Sequence, residues 1–195
     1  MLVGFNLLYF DIIENYTICK CFMTCFWDET LKGLSYFPEF TELEEYNIIF
    51  KNGSTNRTNY IAFCKKNCDI LLKKYKNVIW EGFEKNEIDK AEDNRINLND
   101  TNLREQEIID HHIPRIKELW SQDEIDGYNC SPCDSFLLFL CCYFEINIHY
   151  KSKNWNNQPI HVTYLYNNPE RGYNNNKALF FSTSKRHFSY VSYVK

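Results

Sequence analysis

Ser131-Pro132-Cys133-Asp134-Ser135-Phe136-Leu137-Leu138-Phe139-Leu140-Cys141-Cys142-Tyr143-Phe144, running on into Ile146-Asn147-Ile148-His149-Tyr150, is the stretch whose reading decides the fold. Its first four residues form a helix start. Ser131 supplies an N-cap hydroxyl, Pro132 suits the first helical position, and Asp134 follows as an acid in the first turn. From Phe136 to Phe144 the chain is apolar on every side, so the helix it forms is central. Beyond it the period changes from helical to two. Ile146, Ile148 and Tyr150 alternate with Asn147 and His149, and Ile160, Val162, Tyr164 and Tyr166 alternate with His161, Thr163 and Leu165. Two further β-rich segments, 178–183 and 187–194, complete a strand-rich C-terminal third.

Upstream the pattern is helical. Cys21, Phe22, Cys25 and Phe26 recur at three and four within 20–31, and Ile61, Cys64, Cys68, Leu71, Leu72 and Tyr75 do so within 59–75, with Thr58 or Asn59 as N-cap. A third helix over 103–120 is expected to be split by Pro114, which removes a hydrogen bond. Helices first and strands last predict an α+β fold, with helices around a small, mostly antiparallel sheet. With 195 residues, 44% of them apolar and 25% charged, the chain is expected to form one domain over 1–195.

Composition also narrows the function classes. A formal charge of −4 gives no basic footprint for phosphates, so no nucleic-acid partner is expected. The acids concentrate between Glu81 and Asp126, where fourteen face six bases. That segment reads as a solvated face, or as a surface for a basic partner. Residues 1–10 are apolar but lack a positive flank and a small-residue cleavage site, so they read as structure and not as a secretion signal. The longest apolar run falls well short of the ~18 residues of a membrane span, so no membrane association is expected.

Nine cysteines cannot all pair with one another, and their uneven spacing is unlike a secreted disulfide framework, so a reducing, cytoplasmic setting is expected. Cys130-x-x-Cys133 has zinc-knuckle spacing, and Cys19, Cys21 and Cys25 or Cys64 and Cys68 offer a second pair. The helical faces instead make Cys25, Cys64, Cys68, Cys141 and Cys142 core thiols, and neither metal nor cofactor is expected. Cys21 has the context of a nucleophile, following Lys20 at the start of an amphipathic helix. The matching base is His187, at the head of His187-Phe188-Ser189-Tyr190-Val191, where alternation sends His187, Ser189 and Val191 to one face. His111, His112, His149 and His161 are poorer bases by context, the first two in the acidic helix and the others opposite the apolar faces of their strands.

In this order the pieces resemble an ovarian-tumour (OTU) type cysteine protease, a deubiquitinase family with a papain-like fold. That family opens with Asp-Gly-x-Cys and an aromatic or aliphatic pair on a helix, which Lys20-Cys21-Phe22-Met23-Thr24-Cys25-Phe26 resembles. Asn59-Tyr60-Ile61-Ala62-Phe63 is similar to its second helix, Trp120 to a tryptophan ahead of its helix–strand unit, and Ser135 to Tyr150 to that unit. His187-Phe188-Ser189-Tyr190-Val191 resembles its closing strand. The resemblance implies hydrolysis of isopeptide or peptide bonds after the C-terminal glycine of ubiquitin or a ubiquitin-like protein. Cys21 would be the nucleophile, His187 the base, and Ser189 would stand where many members carry Asp or Asn to orient the histidine. The chain has Ile18-Cys19 in place of Asp-Gly, which makes Cys19 a rival nucleophile and leaves an inactive, protein-binding OTU-like module, or a zinc-stabilised interaction domain, as alternatives.

Overall fold

A computed structural model describes residues 25–51, 54–55, 57–81, 101–119, 134–153, 159–167, 177–184 and 187–194. Helices α1 (Cys25–Leu34), α2 (Pro38–Thr41) and α3 (Tyr46–Ile49) precede a short ribbon of β1 (Phe50–Lys51) and β2 (Ser54–Thr55). Then come α4 (Arg57–Asn67), α5 (Ile70–Lys74), a 3-10 turn (Tyr75–Asn77) and β3 (Val78–Glu81). Next are α6 (Thr101–Glu107), a π-turn (Ile108–His112), α7 (Ile113–Lys117) and α8 (Ser135–Phe144). The chain closes with β4 (Asn147–Lys153), β5 (Pro159–Tyr166), β6 (Ala178–Ser184) and β7 (His187–Val194). This is an α+β fold with one mixed five-stranded sheet, ordered β3-β5-β4-β6-β7.

The central helix is α8. All of its residues but Tyr143 are buried, as an all-round apolar run requires. Its start differs from expectation. Asp134 is the N-cap, its Oδ1 accepting from the amides of Phe136 (2.9 Å) and Leu137 (3.3 Å), and Ser135 opens the helix. A carboxylate satisfies two orphan amides and meets the positive end of the helix dipole, which a serine hydroxyl three residues earlier does less well. Ser131, Pro132 and Cys133 lie outside the described residues. Glu145 ends the helix in the left-handed region (φ 54°), a conformation uncommon for a residue with a Cβ. Lys74 Nζ at 2.7 Å and the Tyr166 hydroxyl at 3.3 Å hold its carboxylate there.

The sheet's alternation buries Ile148, Tyr150, Val162, Tyr164, Tyr166, Leu179 and Phe181 on one face. Three strand pairs are antiparallel, while β4 and β6 run parallel, Ile148 opposite Leu179. The alternation expected along 187–191 breaks on β7. The register shifts there, Phe181 facing Tyr190 and Phe180 facing Ser192, so Val191 is the extra residue of a bulge and stands exposed instead of sharing a face with Ser189.

Two expected helices are interrupted. The helix expected over 59–75 begins at Arg57 and divides into α4 and α5. The Asn67 amide donates to the Phe63 carbonyl (2.9 Å) and the Cys68 thiol to Lys65 O (3.3 Å), and the Leu71 amide makes a tighter turn onto Cys68 O (3.0 Å). Around Pro114 the chain is not split but widens. The π-turn over Ile108–His112 takes up the missing N–H before α7 resumes.

Candidate active site

Helix α1 buries Phe26, Trp27, Thr30, Leu31, Gly33 and Leu34, while Cys25, Glu29 and Gly33, with Tyr36 just past its end, follow one another at helical spacing along a side that meets β7. The inward face locks the start of α1 in place. Phe26 packs edge-on against Trp27 (5.0 Å between ring centres) and lies 4.9 Å from Phe188 on β7, and Trp27 packs on Phe136 of α8 at 4.9 Å.

The other face is stitched to β7 along its length. The Tyr190 amide, on the outer edge of the sheet, donates to Glu29 Oε2 at 2.8 Å. Lys32 pairs with Glu29 at 3.7 Å and sits 5.6 Å from the centre of the Tyr190 ring. At Gly33 the backbone comes so close that a Cβ would meet both Leu179 and Tyr190 side chains at 3.1 Å. One turn further on, Tyr36 stacks on Tyr193 (4.5 Å) and Tyr190 (5.6 Å).

Helix and strand therefore run the same way, and their rises fix what lies level with what. Four helical residues advance about 6 Å, which is about two residues of strand. With Glu29 at Tyr190, Cys25 falls level with about position 188, in agreement with the Phe26–Phe188 contact. His187, opening β7 opposite Ser184, is the preceding residue, and Ser189, half-buried opposite Ser182, follows it by two. Position 25 thus lies level with the beginning of β7.

Cys25 was expected in the core with the other apolar-face cysteines. It is half-buried instead, because α1 turns its 25–29–33 side to the sheet edge and not to α8. Close by, Arg57 grips Asp28 through two hydrogen bonds of 2.9 and 2.6 Å. That carboxylate, with Cys25 as a weaker neighbour, holds the guanidinium proton more tightly than usual. Cys19, Cys21, Cys130, Cys133 and Trp120 lie outside the described residues.

The other described thiols are unsuited to chemistry. Cys64, Cys68, Cys141 and Cys142 are buried, as expected, and burial pushes all four up, Cys142 to about 12. Among the histidines, His149 stacks on Phe180 (4.5 Å) and meets Thr163 Oγ1 at 3.2 Å. His112 is not on a solvated helix face but buried, its Nδ1 2.9 Å from Ser135 Oγ and its ring edge-on to Trp80. Burial first, and then Arg115 and His111, drive it down to about 3, so it is neutral. Among the described residues no group of three or more His, Cys, Asp or Glu side chains is arranged to hold a metal ion, and no helix is long and apolar enough to cross a membrane.

Sequence reasoning placed Cys25 in the core; Cys25-Phe26-Trp27 carries a cysteine followed by an aromatic pair. Compared with protein-family models, curated proteins and solved structures, the chain matches none.

Proposed function

We propose that this chain is an OTU-like thiol hydrolase acting on the bond after the C-terminal glycine of ubiquitin or a ubiquitin-like protein, with Cys25 as nucleophile and His187 as base. The observation that carries the reading is the alignment of α1 with β7, which brings the position of a half-buried cysteine level with the first residues of the histidine strand. A histidine from a distant strand is the partner that a cysteine nucleophile needs. The papain-like form of the fold and the ubiquitin-like partner rest on the resemblance in element order.

In this reading His187 takes the Cys25 proton and the thiolate attacks the carbonyl carbon. Backbone N–H groups beside Cys25 stabilise the oxyanion. His187 then gives its proton to the departing amine, leaving a thioester. Water, deprotonated by His187, cleaves the thioester to a carboxylate and restores the thiol. Ser189 stands two residues along β7 as the orienting group.

Incubation with ubiquitin bearing a C-terminal electrophile tests the assignment. One covalent adduct is expected, lost in Cys25→Ala and kept in Cys21→Ala. Loss in Cys21→Ala alone would move the nucleophile four residues upstream. A wild type that forms no adduct overturns the hydrolase, and ubiquitin binding retained in that protein would mark an inactive binding module.

A further inference from the structure

The contact between Glu29 and the Tyr190 amide joins residues 161 positions apart and lies between the two elements that carry the proposed nucleophile and base. On an edge strand that outward amide would ordinarily face solvent. Here it is taken by a half-buried carboxylate one helical turn beyond Cys25 on the same face. The ring contacts along the seam, Phe26 on Phe188, Lys32 over Tyr190 and Tyr36 on two rings, are apolar or loosely directional. Stacked rings and a glycine that allows close approach let a helix slide on a strand; a hydrogen bond from a backbone amide to a carboxylate does not.

We propose that Glu29 is a positioning residue, whose grip on the Tyr190 amide sets the axial register of α1 on β7 and so holds Cys25 level with His187. This rests on the thiol-hydrolase reading and adds to it the group that fixes the distance between nucleophile and base. Slippage of α1 by a single residue, about 1.5 Å, exceeds the tolerance of a proton-sharing pair, so the consequence of losing the clamp is electrostatic as well as structural.

The test is the pH dependence of Cys25 alkylation by iodoacetamide, followed at peptide resolution by mass spectrometry. In the wild type, reactivity persists at about pH 6, below the range of an ordinary thiol, with a second inflection from the histidine. In Glu29→Ala the rate at about pH 6 falls about tenfold or more, while the rate at about pH 10, where every accessible thiol is ionised, stays within about twofold. Glu29→Gln, which keeps an acceptor oxygen, restores most of the low-pH reactivity. Should Glu29→Ala not fold, Glu29→Asp serves in its place, since its shorter side chain pulls the carboxylate back and is expected to give an intermediate profile. A wild-type profile in Glu29→Ala, or in Glu29→Asp where that variant is used, overturns the clamp while leaving the hydrolase intact. An ordinary thiol profile in the wild type itself overturns the Cys25–His187 pairing and the positioning role with it.

Discussion

Two histidine positions stand in contrast, His112 at the head of α8 in the core and His187 on the edge strand of the sheet. In the core, His112 meets Ser135 at 2.9 Å at the head of α8, the distance expected of a base and its nucleophile, yet both are buried. At the edge, Cys25 is half-buried on α1, level with the start of β7. Hydrogen-bond geometry alone would choose the first pair. Access and proton affinity speak against it, because a histidine driven down to about 3 does not take a proton near neutrality, and a buried serine meets no substrate. His112 and Ser135 are accordingly read as a buried polar contact that fixes the π-turn against α8.

The comparison can be broken most severely at Phe136, fully buried and in contact with the Phe26 and Trp27 rings, so that it ties the head of α8 to the head of α1. Phe136→Ala is expected to cost about 3–5 kcal/mol, read as a lower urea midpoint at unchanged slope. A smaller effect sharpens the core site. The pKa of His112 falls from an ordinary 6.5 to about 3 on folding, so the unfolded chain binds the extra proton between those values. Stability is therefore complete above about pH 6.5 and declines as pH falls toward about 3, by about 2 kcal/mol at about pH 5. Denaturant titrations at the two pH values should show this loss, and His112→Asn should remove most of it. Least costly is Asp134→Ala, expected to lose about 1–2 kcal/mol of cap stabilisation in a thermal or urea melt. None of these substitutions alters a group at the sheet edge, so thiol reactivity at Cys25 should survive His112→Asn and Asp134→Ala.

What was legible in the sequence follows the local or long-range origin of each feature. The apolar run of α8 and the alternation after it place β5, β6 and β7 within about a residue and β4 within about three, because burial on one face writes itself into period two. The strand β3 went unread: Val78-Ile79-Trp80-Glu81 is too short to show a period and is a strand because it pairs with β5, Trp80 opposite Tyr164. The Val191 bulge was hidden for a similar reason, since register belongs to two strands at once. At the candidate site the histidine strand was readable from its alternation, whereas the packing of Cys25 beside it rests on a tertiary contact, Phe26 on Phe188, that helical spacing does not record.

The bulge at Val191 and the carboxylate at the Tyr190 amide have a consequence for the behaviour of the protein in a crowded solution. β7 is an outer strand with Val191, Tyr193 and Val194 exposed, a composition that invites a second chain to add on and propagate. A propagating strand needs a straight run of vacant amides. Here one outward amide is already filled and the next residue twists the backbone out of line, so the edge that carries the proposed chemistry also resists becoming a template for aggregation.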